Sequence, residues 1–181
     1  MLMRCIPISA LTLTFVALPM QCDAQVHSSR DRVGDTLQIV LPLAAIGLSW
    51  QNDDMEGLKE FGLSAALSQG TTEVLKHTVH SRRPDGTGLG FPSGHTSMAF
   101  VSATYVQQRY GWGPAIPMYG LAVLTGYSRI HTHHHFLKDV VGGAAVGIGS
   151  ALWLTHRLGS RTQAAVGYGG DGLALHVSHQ W

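Results

Sequence analysis

Residues 91–96 read Phe-Pro-Ser-Gly-His-Thr and join a glycine-containing turn to an apolar run that is typical of a helix. This order places Ser93, Gly94 and His95 at a helix N-terminus. There the first backbone N–H groups have no partner within the helix, and the helix dipole favours negative charge. The segment therefore predicts an anion site, with Gly94 allowing a ligand to approach the backbone. A second interpretation is that Ser93 only caps the helix. The segment alone leaves both open.

Helical spacing of apolar residues continues on both sides of this segment. It predicts an all-α fold, a compact bundle of about five to six helices. The predicted helices cover residues 36–50, 55–82, 96–109, 114–127 and 135 or 136 to about 158, and the second can divide near Gly70. Glycine is costly within a helix. The four in the last helix therefore predict close packing against a neighbour; they are Gly142, Gly143, Gly147 and Gly149.

The chain divides into three predicted parts. Residues 1–24 have the positive start, short apolar run and small-residue end of a secretory signal peptide. Residues 25–160 form the helical domain. Residues 161–181 alternate apolar and polar positions around a glycine-rich turn, which predicts a β-hairpin tail packed on the domain or at a membrane.

An uncleaved anchor or a lipoprotein with Cys22 lipidated are the alternatives to cleavage. If the leader is cleaved, both cysteines, Cys5 and Cys22, leave with it, which excludes disulfides and thiol chemistry in the mature chain. No stretch after residue 24 reads as about 20 continuous apolar residues. We therefore expect an exported, periplasmic protein, soluble or in peripheral contact with a membrane, and we disfavour an integral one.

The length and net charge of the chain limit the number of domains and the classes of partner. At 181 residues the chain suits one domain, and its formal net charge of +1 gives no electrostatic footprint for nucleic acid.

Three short segments carry the chemistry. The first is Lys76 followed, seven positions on, by Arg83-Pro84; the second is residues 92–95; the third is Ser128-Arg129 followed by His135 and Asp139. Random occurrence of all three spacings in this order has a probability on the order of one in ten million or less.

Together these segments provide the groups that a phosphoryl transfer requires. Lys76, Arg83 and Arg129 are cations that bind phosphate oxygens, and Ser93 and Gly94 add neutral donors. His135 and Asp139 are four residues apart, so the carboxylate can hold one ring nitrogen and leave the other free to attack. His95 then remains as the acid that protonates the leaving oxygen.

These segments resemble, position by position, the signature of the type 2 phosphatidic acid phosphatase (PAP2) superfamily, which includes class A acid phosphatases and vanadium haloperoxidases. Within this superfamily the chain resembles the small bacterial members. The resemblance implies a metal-independent phosphatase without a cofactor, acting on a phosphomonoester or diphosphate, with a lipid of the bacterial envelope as the favoured substrate. It also implies a phosphohistidine intermediate on His135, assisted by Asp139, and inhibition by vanadate or phosphate.

Three alternatives compete with this prediction. A site that binds phosphate also accommodates vanadate, so a vanadium-dependent haloperoxidase is one alternative. A non-catalytic binding protein for an envelope anion or lipid phosphate is another, although binding alone requires neither His95 nor His135. The histidine-rich run at residues 131–135 also suggests a metal site, which the adjacent cations Arg129 and Lys138 disfavour.

Overall fold

The computed structural model describes residues 29–158, 161–169 and 172–180. The predicted signal peptide, residues 1–24, lies outside the described residues. Five helices occur in the described part, which confirms the all-α helical prediction, and two antiparallel strands follow them. The elements are α1 Ser29–Gln51, α2 Met55–Val79, α3 Gly94–Tyr110, α4 Trp112–His131, α5 Leu137–Leu154, β1 Arg161–Gly169 and β2 Gly172–Gln180.

Helix α3 forms the centre of the bundle, because it contacts each of the other four helices. Its residues are mostly small or β-branched, so the surrounding helices can approach closely on every side. Tyr105 is fully buried in its middle and packs against Phe61 of α2, with ring centroids 5.0 Å apart. The fully buried apolar residues of α3 are Ala99, Val101, Ala103, Tyr105 and Val106.

Glycines let α5 lie directly against α3, as the sequence predicts. A Cβ at Gly143 would meet the carbonyl oxygen of Ser93, and one at Gly147 would meet that of Ser97. Gly142 faces the ring of Phe91 in the same way. Gly149 has nothing within 4 Å of its Cβ position, so the packing argument does not apply to it.

Helix α2 runs unbroken through Gly70, which agrees with the single-helix alternative of the prediction. The start of α1 differs from the prediction. Helix α1 begins at Ser29 rather than at residue 36, and Pro42 lies inside it. The polar residues before position 36 therefore form the first turns of a long helix rather than a lead-in.

A buried ion pair holds the bundle together at the end where α1 and α3 finish. Asp54 caps α2 by accepting the Gly57 N–H at 2.8 Å. Arg109 donates to both oxygens of this carboxylate, at 2.7 and 2.6 Å, and Tyr110 donates to it at 2.8 Å. The hydrogen bonds from Arg109 lower the pKa of Asp54 to about 2. Both side chains are almost fully buried, so this pair stabilises the fold only while both charges are present.

Within the described residues, two helices are long and apolar enough to cross a membrane, over Arg32–Gln51 and Leu137–Leu154. Only 22% and 28% of these stretches are buried within the bundle. A core helix of a water-soluble protein would be mostly buried. The apolar side chains of α1 and α5 instead face outwards, as lipid-facing helices do.

Three exposed tryptophans lie at one end of the bundle. Trp50 is at the end of α1, Trp112 at the start of α4 and Trp153 at the end of α5, with 62–77% of each residue exposed. Indole rings are enriched where a membrane meets water. The predicted catalytic residues lie at the opposite end of the bundle, with His95 at the start of α3, His135 just before α5 and Asp139 in its first turn.

Candidate active site

Helix ends bring the predicted site residues together at the end of the bundle away from the tryptophans. A cavity of about 430 Å³ opens there between α1, α2 and α3. Five of the eight predicted residues line it, namely Lys76, Arg83, Gly94, His95 and His135. The other three, Ser93, Arg129 and Asp139, are buried beside it. The cavity also has a wall from α1, which the sequence analysis did not assign to the site.

Ser93 does not cap α3 with its side chain, because no side-chain cap hydrogen bond forms there. Its hydroxyl is fully buried and accepts a hydrogen bond from Thr96 at 3.1 Å. Its backbone N–H donates to the carbonyl of Asp139 at 2.9 Å. This bond joins residues 92–95 to the first turn of α5. The capping interpretation of Ser93 is therefore wrong.

Gly94 is the first residue of α3 and lines the cavity. Its Cβ position would lie 3.7 Å from Gln69 Oε1, 3.8 Å from Thr72 Cγ2 and 3.9 Å from Lys76 Nζ. These are ordinary van der Waals distances, so packing does not require glycine here. The absence of a side chain keeps the helix N-terminus and Lys76 open to a ligand.

His135 lies in the loop before α5 rather than on the helix, and Asp139 is in the first turn of α5. Their side chains nevertheless meet, with His135 Nδ1 3.6 Å from Asp139 Oδ2. That oxygen also accepts the Phe136 N–H at 2.9 Å, which fixes the carboxylate. Among the described residues, Nδ1 of His135 and Oδ1 of Asp139 have no hydrogen-bond partner, and both side chains are buried. With Nδ1 turned towards Asp139, Nε2 is left for the cavity.

Burial and the charge of Arg83 lower the pKa of His135 below its ordinary value. The imidazole is therefore neutral near pH 7, and its free ring nitrogen carries a lone pair. A nucleophile needs this form.

The cations approach the cavity from three elements. Lys76 extends from the last turn of α2 and pairs with Glu73 at 2.7 Å. Arg83 is held by a short loop, where its Nε donates to the carbonyl of Leu89 at 3.2 Å. Arg129 lies in the last turn of α4, is buried, and pairs with Asp35 at 3.0 Å. Lys76 and Arg83 thus line one cavity, and Arg129 is linked to the cavity residue His95 through Asp35. Phosphate binding by these three cations stays a prediction.

His95 and Asp35 form a pair that the sequence analysis missed. The Nε2 of His95 lies 3.0 Å from Asp35 Oδ1, the same oxygen that binds Arg129. Burial, followed by the charge of Arg129, lowers the pKa of His95 to about 4, while Asp35 acts in the opposite direction. Asp35 belongs to no motif and lies sixty residues before His95, so no local spacing could have indicated the contact.

The histidine-rich run does not gather its side chains at one point. His131 stacks on Tyr127 with ring centroids 5.6 Å apart, His134 pairs with Asp85 at 2.9 Å, and only His135 lines the cavity. Within the described part of the chain, no group of three or more His, Cys, Asp or Glu residues is arranged to hold a metal ion.

Comparison with known proteins agrees with this geometry. The PAP2 superfamily matches residues 57–163. The lipid A 4'-phosphatase of Helicobacter pylori is 33% identical over 139 residues, which covers 70% of each chain. The chain belongs to the PAP2 superfamily. Within that class it is a phosphoric ester hydrolase.

Two solved structures share the fold. Aquifex aeolicus LpxE superimposes with a TM-score of 0.59 at 24% identity, covering 68% of this chain and 81% of the other. The first transmembrane PAP2 type phosphatidylglycerolphosphate phosphatase from Bacillus subtilis does so with a TM-score of 0.50 at 21% identity, covering 71% and 77%.

The prediction of a soluble or peripherally bound periplasmic protein is wrong. The chain has the fold of a transmembrane enzyme, and α1 and α5 are long, apolar and largely unburied. The sequence analysis places the start of this helix at residue 36. The apolar run that remains is too short to cross a membrane, so the prediction failed. The glycines of α5 were interpreted only as packing, although the helix packs on α3 and α2 and still leaves large apolar side chains exposed, namely Leu137, Val141, Leu152 and Trp153.

Proposed function

We propose that this lipid phosphatase of the PAP2 superfamily removes a phosphate group from a membrane lipid through a covalent phosphohistidine on His135. The observation that carries the proposal is the single cavity in which His135, His95, Lys76 and Arg83 converge. Nucleophile, acid and cations then act on one phosphorus atom.

The first step transfers the phosphoryl group to the protein. The Nε2 lone pair of His135 forms a bond to phosphorus while the bond from phosphorus to the lipid oxygen breaks. Asp139 stabilises the positive charge that develops on the ring, from 3.6 Å away. Lys76, Arg83 and Arg129 stabilise the negative charge on the phosphoryl oxygens. The free site favours a neutral His95, but a bound phosphate anion beside the ring favours its charged form. His95 protonated in this way gives its proton to the leaving oxygen.

The second step restores the enzyme. Neutral His95 accepts a proton from water as the water oxygen bonds to phosphorus and the bond to Nε2 of His135 breaks. Inorganic phosphate leaves the cavity. Phosphate and vanadate are therefore expected to compete with the substrate for the same cations.

A lipid substrate is supported by the wall that α1 contributes. Ile39, Pro42 and Leu43 line the cavity beside the catalytic histidines. These residues belong to one of the two helices that can cross a membrane. An acyl chain can thus lie along α1 while its phosphate reaches His135. The relative from Helicobacter pylori, a lipid A 4'-phosphatase by name, makes a phosphorylated glycolipid the first substrate to test.

The test uses the full chain purified in detergent, with phosphate release measured from lipid A, phosphatidate and undecaprenyl diphosphate in mixed micelles. His135→Ala should reduce kcat by about 10³-fold or more, because the nucleophile is lost. His131→Ala is the matched control, since it removes an exposed histidine from the same region and should leave the rate unchanged.

The intermediate is tested separately by quenching turnover of a ³²P-labelled substrate in alkali, where phosphohistidine survives and acyl phosphates do not. Label that remains on the wild type and is absent from His135→Ala supports the proposal. Equal rates in the wild type and His135→Ala would refute it.

A further inference from the structure

Helix α1 begins upstream of the residues that match the superfamily, yet it contributes a carboxylate to the site. One oxygen of Asp35 lies 3.0 Å from Nε2 of His95 and 3.0 Å from Nη1 of Arg129. It therefore links the proposed acid to one of the proposed phosphate-binding cations. About 41% of the Asp35 side chain is exposed, whereas that of Arg129 is only 5% exposed.

The residue before Asp35 shows that this contact is built into the packing. Gly34 is buried, and a Cβ there would collide with the guanidinium of Arg129 and the hydroxyl of Ser128. The backbone of α1 thus lies directly on Arg129, at a distance that only glycine permits. This close approach sets Asp35 opposite His95.

The chemistry of the pair determines which ring nitrogen of His95 can carry a mobile proton. An ionised carboxylate only accepts hydrogen bonds, so Nε2 of His95 keeps its hydrogen whether the ring is neutral or charged. Among the described residues Asp35 is the only hydrogen-bond partner of the His95 ring. The proton that comes and goes is therefore the one on Nδ1.

We propose that Asp35 is a positioning residue, which orients His95 and holds it in the form whose Nδ1 delivers a proton to the leaving oxygen. This inference rests on the proposed phosphatase function. Asp35 does not contact the phosphorus or its leaving group. It acts through His95.

The charges around His95 explain why such a residue is required. Arg129 of α4 and Arg83 of the loop after α2 both disfavour a positive imidazole, as does burial. Lys76 of α2 and His135 line the same cavity and add no negative charge. Asp35 is the group that raises the pKa of His95 against these effects. Removing its charge lowers that pKa further, so less of the acid is protonated at any given pH.

The test compares Asp35→Asn with wild type by measuring kcat and KM as functions of pH on an alkyl phosphate lipid and on p-nitrophenyl phosphate. Asp35→Asn should lower kcat on the lipid at least tenfold and move the alkaline limb of its pH profile to lower pH. The rate on p-nitrophenyl phosphate should fall much less, because nitrophenolate leaves without a proton. Asp35→Glu should restore part of the lipid rate, and Asp53→Asn, in the turn at the other end of the bundle, is the control.

The outcomes separate this inference from the proposed function. If wild type releases no phosphate from any lipid, the function itself fails. If wild type is active and the alkaline limb of the kcat profile lies at the same pH in Asp35→Asn as in wild type, the inference about Asp35 is wrong. If kcat/KM instead falls equally on both substrates, through a raised KM and at every pH, Asp35 only anchors Arg129. This result would also overturn the inference. A faster Asp35→Asn enzyme would mean that the carboxylate blocks the cavity instead.

Discussion

Two glycines in adjoining helices should respond in opposite ways to the same added methyl group. Gly94 begins α3 and faces the cavity, and the atoms nearest its Cβ position are 3.7–3.9 Å away. Gly94→Ala therefore fits without movement of its neighbours. Alanine also restricts the unfolded chain more than glycine does, so stability should be unchanged or higher by up to about 1 kcal/mol.

The same methyl group should impair catalysis. It would lie 3.9 Å from Lys76 Nζ, in the space that a phosphate oxygen needs in order to reach both that ammonium and the N-terminus of α3. Losing one charge-assisted hydrogen bond costs about 1.5–3 kcal/mol. Because each 1.4 kcal/mol is a factor of ten, kcat/KM should fall by about 10-fold to 100-fold.

Gly143→Ala is the matched comparison. Its Cβ would meet the carbonyl oxygen of Ser93 and lie 3.2 Å from Thr96 Cβ, and neither can move without shifting α3. Overpacking of this kind costs about 1–3 kcal/mol. Gly62→Ala, inside α2 with nothing within 4 Å, is the control without overpacking, and it should be as stable as wild type or more stable by up to about 1 kcal/mol.

Thermal unfolding in detergent and steady-state kinetics on a lipid phosphate measure the two effects. The reasoning predicts a stable, slow Gly94→Ala enzyme and a destabilised Gly143→Ala enzyme. A Gly94→Ala enzyme with kcat/KM within twofold of wild type would refute the assignment of Gly94 to the phosphate site. A lowered melting temperature for that variant would show that the glycine is required for packing after all.

Three further predictions concern other parts of the molecule. Asp139→Asn keeps an acceptor for the Phe136 N–H but loses the charge beside His135, so kcat should fall at least about 100-fold while circular dichroism stays unchanged. The pKa of Asp54 is about 2 in the folded state, against an ordinary value of 3.8, so its charge adds about 2 kcal/mol to the free energy of unfolding above pH 4. This contribution is lost as the pH falls through 2. In acid titrations followed by thermal unfolding, Asp54→Asn should be less stable than wild type at pH 7 and should lack this acid-dependent loss. Membrane integration predicts that the chain resists extraction with alkaline carbonate, and that Ile46→Lys, on the exposed face of α1, reduces the fraction retained in the pellet.

Local spacing was sufficient to predict much of the helical framework. The turn before Gly94 and the apolar run after it determine where α3 begins, and the small residues of α5 reflect a real contact with Ser93 and Ser97. These features depend on neighbours within a few residues or on one repeated face, which a sequence displays directly.

Contacts between distant residues could not be predicted in the same way. Asp35 meets His95 only because Gly34 lets α1 lie on Arg129, and that fit depends on three helices at once. The ion pair of Asp54 and Arg109 is likewise a product of the finished bundle. The membrane placement was missed for a simpler reason, since the polar start of α1 concealed its length.

The separation of the cavity from the three indole rings also bears on lipid traffic. A helix of about 20 residues is about 30 Å long, which is close to the thickness of a hydrocarbon core. Under the proposed function, with the chemistry at one end of such helices, the enzyme reaches only those lipids whose headgroups face that side. A phosphorylated lipid in the opposite leaflet would then have to be flipped before it is dephosphorylated, and the architecture would set the order of the two events.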